Sequence, residues 1–206
     1  MKRAARVITV FGSARPKPND AHYESARALG AALAEKGCMV CSGGYGGVME
    51  AVSRGAKEAG GRTMGVTARA FTRRANAWID EEIRVGSWQD RLFELIARGD
   101  GYVACPGGTG TLVELAVVWE MLNKGLMRGK PMIVLGNFWQ PVIERVHELE
   151  LEHDPGRGER NDQLICSAET PQDAAEILSA RLGGETIARI GAKTTNTAPK
   201  RKSSIA

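Results

Sequence analysis

Gly101-Tyr102-Val103-Ala104-Cys105-Pro106-Gly107-Gly108-Thr109-Gly110-Thr111-Leu112-Val113-Glu114 changes character twice along its length. A short apolar run, Gly101 to Cys105, meets a glycine-rich turn, and an amphipathic segment from Thr111 to Asn123 follows. Strand, glycine loop and helix in that order make the unit from which parallel sheets are wound. The glycines let backbone N–H groups come close to a ligand, and the helix N-terminus adds partial positive charge, so the favoured guest is a phosphate. Glu114, one turn into the helix, is an anion beside an anion site. That placement points to chemistry rather than to binding.

The alternation continues on both sides. Upstream, Arg6 to Phe11 reads as a buried strand, followed by Gly12-Ser13 and a loop with Pro16 and Pro18. Asn19 or Asp20 then caps a helix whose apolar stripe runs through Ala26, Leu29 and Leu33 until Gly37 stops it. Cys38 to Cys41 is a second strand, Ser42 to Gly47 a second glycine loop, Val48 to Ala59 a helix and Thr63 to Val66 a third strand. Thr67 to Asp80 has no clean periodicity and carries Arg69, Arg73, Arg74 and Trp78, which predicts a mobile loop over the site. Glu82 to Val85 reads as an edge strand, and Ser87 as the cap of a helix from Trp88 to Arg98.

Downstream, strands are expected at Pro131–Leu135 and Leu164–Cys166. Helices are expected at Phe138–Leu151 and Pro171–Leu182, with a polar turn region over 152–162. This order predicts an α/β fold, a doubly wound, Rossmann-like, mostly parallel sheet with helices on both faces. In such a sheet the loops at the carboxyl ends of the strands share one edge, so Gly12-Ser13, Ser42–Gly47 and Pro106–Thr111 converge.

The 206 residues suit one domain, expected over 1–185, with a tail over 186–206. A composition of 43% hydrophobic and 25% charged residues is that of a soluble protein, and no apolar run approaches the roughly 20 residues that span a bilayer. The net charge of +4 comes from Lys193, Lys200, Arg201 and Lys202; without them 24 basic groups face 24 acidic ones. The body is neutral, so no stripe for nucleic acid is expected, and the tail's composition is that of a disordered segment. The apolar run Val7–Phe11 is too short for a secretory signal. Cys38, Cys41, Cys105 and Cys166 are therefore expected reduced, in a cytoplasmic protein.

The loops match neither G-x-x-x-x-G-K-[ST] nor, in the first two cases, G-x-G-x-x-G, so NTP hydrolysis and dinucleotide redox chemistry lack their usual basis. A mononucleotide or sugar phosphate fits a cradle of N–H groups without a lysine or a metal. Pro106-Gly107-Gly108-Thr109-Gly110-Thr111-Leu112-Val113-Glu114 resembles the P-G-G-x-G-T-x-x-E signature of the Lonely Guy (LOG) family. Ser42-Gly43-Gly44-Tyr45-Gly46-Gly47-Val48-Met49 is similar to that family's other glycine loop, and Arg91, fifteen positions before Pro106, falls where its motif arginine stands. The resemblance runs from about residue 6 to 182.

The resemblance implies a phosphoribohydrolase, often labelled lysine decarboxylase-like. Such an enzyme cleaves the N-glycosidic bond of nucleoside 5′-monophosphates, including cytokinin ribotides, to free base and ribose 5-phosphate. It implies Arg91 and Glu114 as the catalytic pair. Gly12, Ser13, Gly43, Gly44, Gly47, Met49, Gly107, Gly108, Thr109, Gly110 and Thr111 are implied around the nucleotide. It also implies a homodimer, with no cofactor and no metal. Breaking the glycosidic bond leaves positive charge on the ribose, which a carboxylate near C1′ stabilises. Two positions depart from the family pattern: Leu92 follows Arg91 where a lysine is usual, and Val113 precedes Glu114 where adjacent glutamates are common.

Other readings of the same residues stay open. Thr111-x-x-Glu114 is also a capping box, Arg91 by itself a surface residue, and Gly43–Gly47 a device for tight turning. Cys38-x-x-Cys41 lies on a strand, not at a helix N-terminus, and reads as core. His22 reads as a solvated residue, and Trp88, Trp119 and Trp139 as core or subunit-interface anchors. Phe71 and Trp78 are the better partners for a base. Two other functions fit the scaffold: a carrier of a nucleotide-like or molybdenum cofactor, and a pyridoxal-phosphate decarboxylase, which would need a lysine that the glycine loops do not contain.

Overall fold

A computed structural model describes residues 5–153 and 164–183. The strands are β1 (Val7–Phe11), β2 (Met39–Ser42), β3 (Thr63–Ala68), β4 (Glu81–Val85), β5 (Gly101–Ala104), β6 (Met132–Leu135) and β7 (Ile165–Ala168). The helices are α1 (Ala21–Glu35), α2 (Val48–Glu58), α3 (Trp88–Arg98), α4 (Thr109–Asn123), α5 (Gln140–His153) and α6 (Pro171–Gly183). The described strands form one sheet in the order β4-β3-β2-β1-β5-β6-β7, every neighbouring pair parallel. The doubly wound α/β fold expected from the alternation is the fold observed.

Continuous apolar runs, not alternating ones, form the central strands because both faces of the sheet are covered. Val103 and Ile133 point into one core, shared with Tyr23, Leu29, Val52 and Leu178 of α1, α2 and α6. Tyr102, Ala104, Met132 and Val134 point into the other, with Leu92, Leu95 and Ile96 of α3 and Leu115 and Val118 of α4. On the first face α1 and α2 touch backbone to backbone: a Cβ on Gly30 would overlap the Val52 carbonyl, and one on Gly55 the Arg27 carbonyl. The acidic, half-exposed β4 is an edge strand, and its charges suit an edge that must not pair further.

Boundaries moved where tertiary pairing outweighs local signals. β3 continues to Ala68 because β4 pairs with it along its whole length, which shortens the irregular segment after it. That segment is also fastened, since Asn76 donates from its backbone to the Gly44 carbonyl (2.8 Å) and from Nδ2 to the Gly44 and Tyr45 carbonyls (3.1 and 2.9 Å). Helix α4 begins at Thr109, two residues before the expected start, and α5 runs on to His153. The remainder of the polar 152–162 region and the tail lie outside the described residues. No helix among the described residues is long and apolar enough to cross a membrane.

The chain leaves β1 toward β2 on one side, and β5 lies on the other. The strand order reverses there, and in sheets of this type a crevice opens beyond the carboxyl ends of the two strands.

Candidate functional site

The crevice is a cleft of about 610 Å³. Its floor comes from the loop after β1, which is held on both sides. The Ser13 carbonyl accepts the Val48 N–H at the start of α2 (2.8 Å), and the Ser13 N–H donates to the Pro106 carbonyl (3.4 Å). Gly47 permits the first contact: its φ is +70°, and a Cβ there would overlap the Ser13 carbonyl. The loops after β1, β2 and β5 thus meet as expected.

The N-terminus of α4 is presented differently from that of α2. The first helical bond runs from Leu112 N–H to the Gly108 carbonyl (3.0 Å), so the N–H groups of Thr109, Gly110 and Thr111 precede it. No side chain caps them, and the first turn holds no acid. Gly108, Thr109, Gly110 and Thr111 all line the cleft, and a Cβ on Gly108 or Gly110 would meet no protein atom within 4 Å. The space those missing side chains leave is cleft, open to a ligand, and the donors around it suit an anion.

Arg91 enters from α3, whose start is fixed by a capping box between Ser87 and Asp90. It is not the surface residue its position near a helix start allowed. Only 8% of it is exposed. Its Nε donates to the Val66 carbonyl (2.8 Å) and its Nη2 to the Gly43 carbonyl (3.0 Å), while Nη2 also lies 3.7 Å from Met49 Sδ. The rings of Tyr45 and Phe71 flank the guanidinium at 5.3 and 6.0 Å. Burial lowers its pKa, and the charge of Glu114 acts the other way; an arginine keeps its proton under such a shift. Nη1 has no hydrogen-bond partner among the described residues.

Glu114 lies on the wall of the same cleft. It does not close a capping box: the N-cap is Gly108, which places Thr111 inside the first turn. Among the described residues nothing hydrogen-bonds its carboxylate, and its helix neighbours Leu115 and Val118 are buried. Burial pushes its pKa up to about 7, against the opposing pull of Arg91. A carboxylate poised between its two forms near neutrality, opposite a fixed cation and beside an anion cradle, can act as a base or stabilise a developing cation.

The cleft therefore brings together Gly12, Ser13, Met49, Arg91, Gly108, Thr109, Gly110, Thr111 and Glu114 of the expected set. Gly43, Gly44, Gly47 and Gly107 do not line it. A Cβ on Gly107 would overlap Thr111 Oγ1, Gly44 has φ of +75° and accepts from Asn76, and Gly47 packs on the Ser13 loop. Gly43 makes room for the arginine, since a Cβ there would overlap Arg91 Nη2. Gly43→Ala is accordingly expected to displace Arg91 and lower activity about as far as removing the arginine does, roughly 100-fold, with the loss read in kcat/KM.

Sequence reasoning passed over several lining residues. Trp88, read as a core or interface anchor, is 41% exposed and lines the cleft together with Leu92 and Tyr45, beside Phe71, which the sequence singles out as a partner for a base. Trp78 is elsewhere, under the Arg54 guanidinium at 5.5 Å. Trp139 is buried, and its Nε1 donates to the Cys105 carbonyl (2.9 Å). Arg15 and Arg73 line the cleft and His22 does not. Burial raises the thiols of Cys38, Cys41 and Cys105, the last two to about 12, so they are poor nucleophiles and belong to the core. Among the described residues no lysine lines the cleft, and Lys130 donates to the Gly99 carbonyl (2.6 Å) at the opposite end of β5, so none of them is placed as a Schiff-base partner for pyridoxal phosphate.

A family model described as the SLOG cluster4 family matches residues 5–174. The chain belongs to the SLOG cluster4 family. Within this family setting, the chain is 34% identical over 131 residues to a cytokinin riboside 5′-monophosphate phosphoribohydrolase of Mycobacterium marinum, covering 62% of this chain and 69% of that one. It is also 34% identical over 123 residues to a probable cytokinin riboside 5′-monophosphate phosphoribohydrolase of Oryza sativa subsp. japonica, covering 57% of this chain. That match spans only half of the rice protein's length. The likeness to the LOG family read from the glycine loops is thereby borne out. Among solved structures, the molybdenum cofactor binding protein of Rippkaea orientalis superposes with a TM-score of 0.68 at 26% identity, over 87% of this chain and 98% of that one.

Proposed function

We propose that this SLOG cluster4 protein hydrolyses the N-glycosidic bond of a nucleoside 5′-monophosphate, releasing free base and ribose 5-phosphate. The observation that carries the reading is Glu114, a carboxylate without a hydrogen-bond partner among the described residues, sharing one cleft with an uncapped helix N-terminus. In this reading the 5′-phosphate sits on the N–H groups of Thr109, Gly110 and Thr111. Ionised Glu114 faces the ribose and stabilises the positive charge that grows as the bond to the base breaks. Arg91, through Nη1, fixes the nucleotide or balances charge on the departing base. Phe71, Tyr45 and Trp88 offer the base its apolar walls.

The names of the mycobacterial and rice relatives support this chemistry, cytokinin ribotides being one candidate substrate. The working form in this reading is a homodimer in the cytoplasm. Support for the dimer comes from the large apolar side chains left exposed on and after α4 and on α5, Leu112, Leu126, Phe138, Val142 and Leu149. Helix α5 has no buried residue of its own.

The Rippkaea orientalis structure favours a second reading, in which the cleft carries a nucleotide-like or molybdenum cofactor without turning it over. A panel of nucleoside 5′-monophosphates separates the two. Free base appearing from at least one of them supports the hydrolase; tight retention of a phosphorylated ligand with no base released supports the carrier.

A further inference from the structure

Of the arginines without an acidic partner among the described residues, two stand at the mouth of the cleft. Arg6, Arg27, Arg54, Arg62, Arg98 and Arg145 each pair with a carboxylate. Arg15 and Arg73, which line the cleft, pair with none among the described residues, and Glu114 is the one acid among the described residues that line it. The two arginines differ in where they are rooted. Arg73 follows β3, two strands away from β1 in the sheet. Arg15 stands two residues after Ser13, in the loop that donates to Pro106 and so runs directly beside the start of α4. Its own backbone N–H is bound to Ser13 Oγ (3.2 Å), which holds the residue in place while its side chain remains exposed.

The α4 cradle offers a phosphate backbone dipoles but no full positive charge, and a 5′-phosphate is close to a dianion at neutral pH. We infer that Arg15 supplies the missing charge: its guanidinium closes on the phosphate held at the α4 N-terminus and makes the site select nucleotides over the corresponding nucleosides. A planar guanidinium matches two phosphate oxygens, and charge-assisted hydrogen bonds of this kind are strong. Backbone donors alone discriminate less sharply, because an uncharged hydroxymethyl group also accepts from them.

The inference rests on the nucleotide reading of the cleft, and it is tested by binding as well as by turnover. Affinities for AMP and adenosine are measured by calorimetry at fixed ionic strength, together with kcat/KM for base release from each, in wild type, Arg15→Ala and Arg73→Ala. Arg15→Ala is expected to lower the AMP-to-adenosine ratio about 30-fold, a loss at least ten times that of Arg73→Ala. Equal losses in the two variants would mean a general field of positive charge rather than a contact, and would overturn the inference. An unchanged ratio in Arg15→Ala would overturn it too. If wild type binds AMP selectively but releases no base, the hydrolase reading fails while the role of Arg15 is still decided by the affinities.

Discussion

Glu114→Gln is expected to cut base release about 10³-fold and to make the protein more stable. The catalytic loss follows from charge: an amide of the same shape cannot offset the cation that develops on the ribose, and removing one such electrostatic partner costs about 10³-fold in kcat. The gain in stability follows from linkage. The carboxyl has a pKa of about 7 in the fold against 4.5 for the unperturbed group, because burial disfavours its charged form. Between those values the folded protein keeps a proton that the unfolded chain gives up, so stability falls as pH rises through this window and stays lower above it, by at most about 3 kcal/mol. Glutamine never pays that penalty. The variant's advantage is expected to be absent at pH 4 and complete at pH 8, where its Tm exceeds that of the wild type by roughly 5 °C. Thermal unfolding at the two pH values checks this, and an advantage of equal size at both would contradict the buried-carboxylate account. In wild type the same ionisation makes kcat/KM rise with pH and reach half its plateau at about 7, above the limb near 6 that belongs to the substrate phosphate.

Arg91→Ala is expected to damage both fold and function. The side chain fills a pocket bounded by Val66, Gly43, Met49, Tyr45 and Phe71, and it satisfies two buried carbonyls. Alanine leaves those carbonyls without donors and a void between the rings. Relief from burying a charge offsets part of this, for a net loss of about 2–4 kcal/mol. With the opposing charge gone, the Glu114 carboxyl moves further above its present value, so less of it is ionised at neutral pH. Activity at pH 7 should fall roughly 100-fold or more, and the rising limb of kcat/KM should shift to higher pH. Arg91→Lys restores a charge but not the fork that spans Val66 and Gly43. It is expected to recover the position of that limb better than it recovers stability. A variant Arg91→Ala that melts like the wild type would mean that the arginine is not the buried bolt its hydrogen bonds describe.

The order of elements was legible because a parallel sheet covered on both faces writes itself as apolar runs separated by amphipathic segments, and Ser87 marked the start of α3 to the residue. Glu114 and Arg91 were legible as a pair through their spacing from the glycine loop, but their environments were not. Thr111 looked like a cap because threonine three residues before glutamate is a common helix start; Gly108, the N-cap three residues before Thr111, is invisible to that rule. The glycines of the second loop looked like ligand contacts, whereas Gly43 is emptied for a guanidinium contributed 48 residues later. Arg15, Tyr45, Trp88 and Asn76 were missed for one reason. Their roles depend on which loops meet at the reversal of strand order, and local pattern carries no information about that meeting.

In the proposed reaction Glu114 drives cleavage of a glycosidic bond in the cleft between the β1 and β5 loops. The most direct test is the release of free base and ribose 5-phosphate from AMP and from a cytokinin riboside 5′-monophosphate, measured side by side in wild type and in Glu114→Gln shown by its higher Tm at pH 8 to be folded. Wild type is expected to release equimolar base and ribose 5-phosphate from at least one substrate, and the variant about 10³-fold less. Equal rates in the two proteins would contradict that role of Glu114.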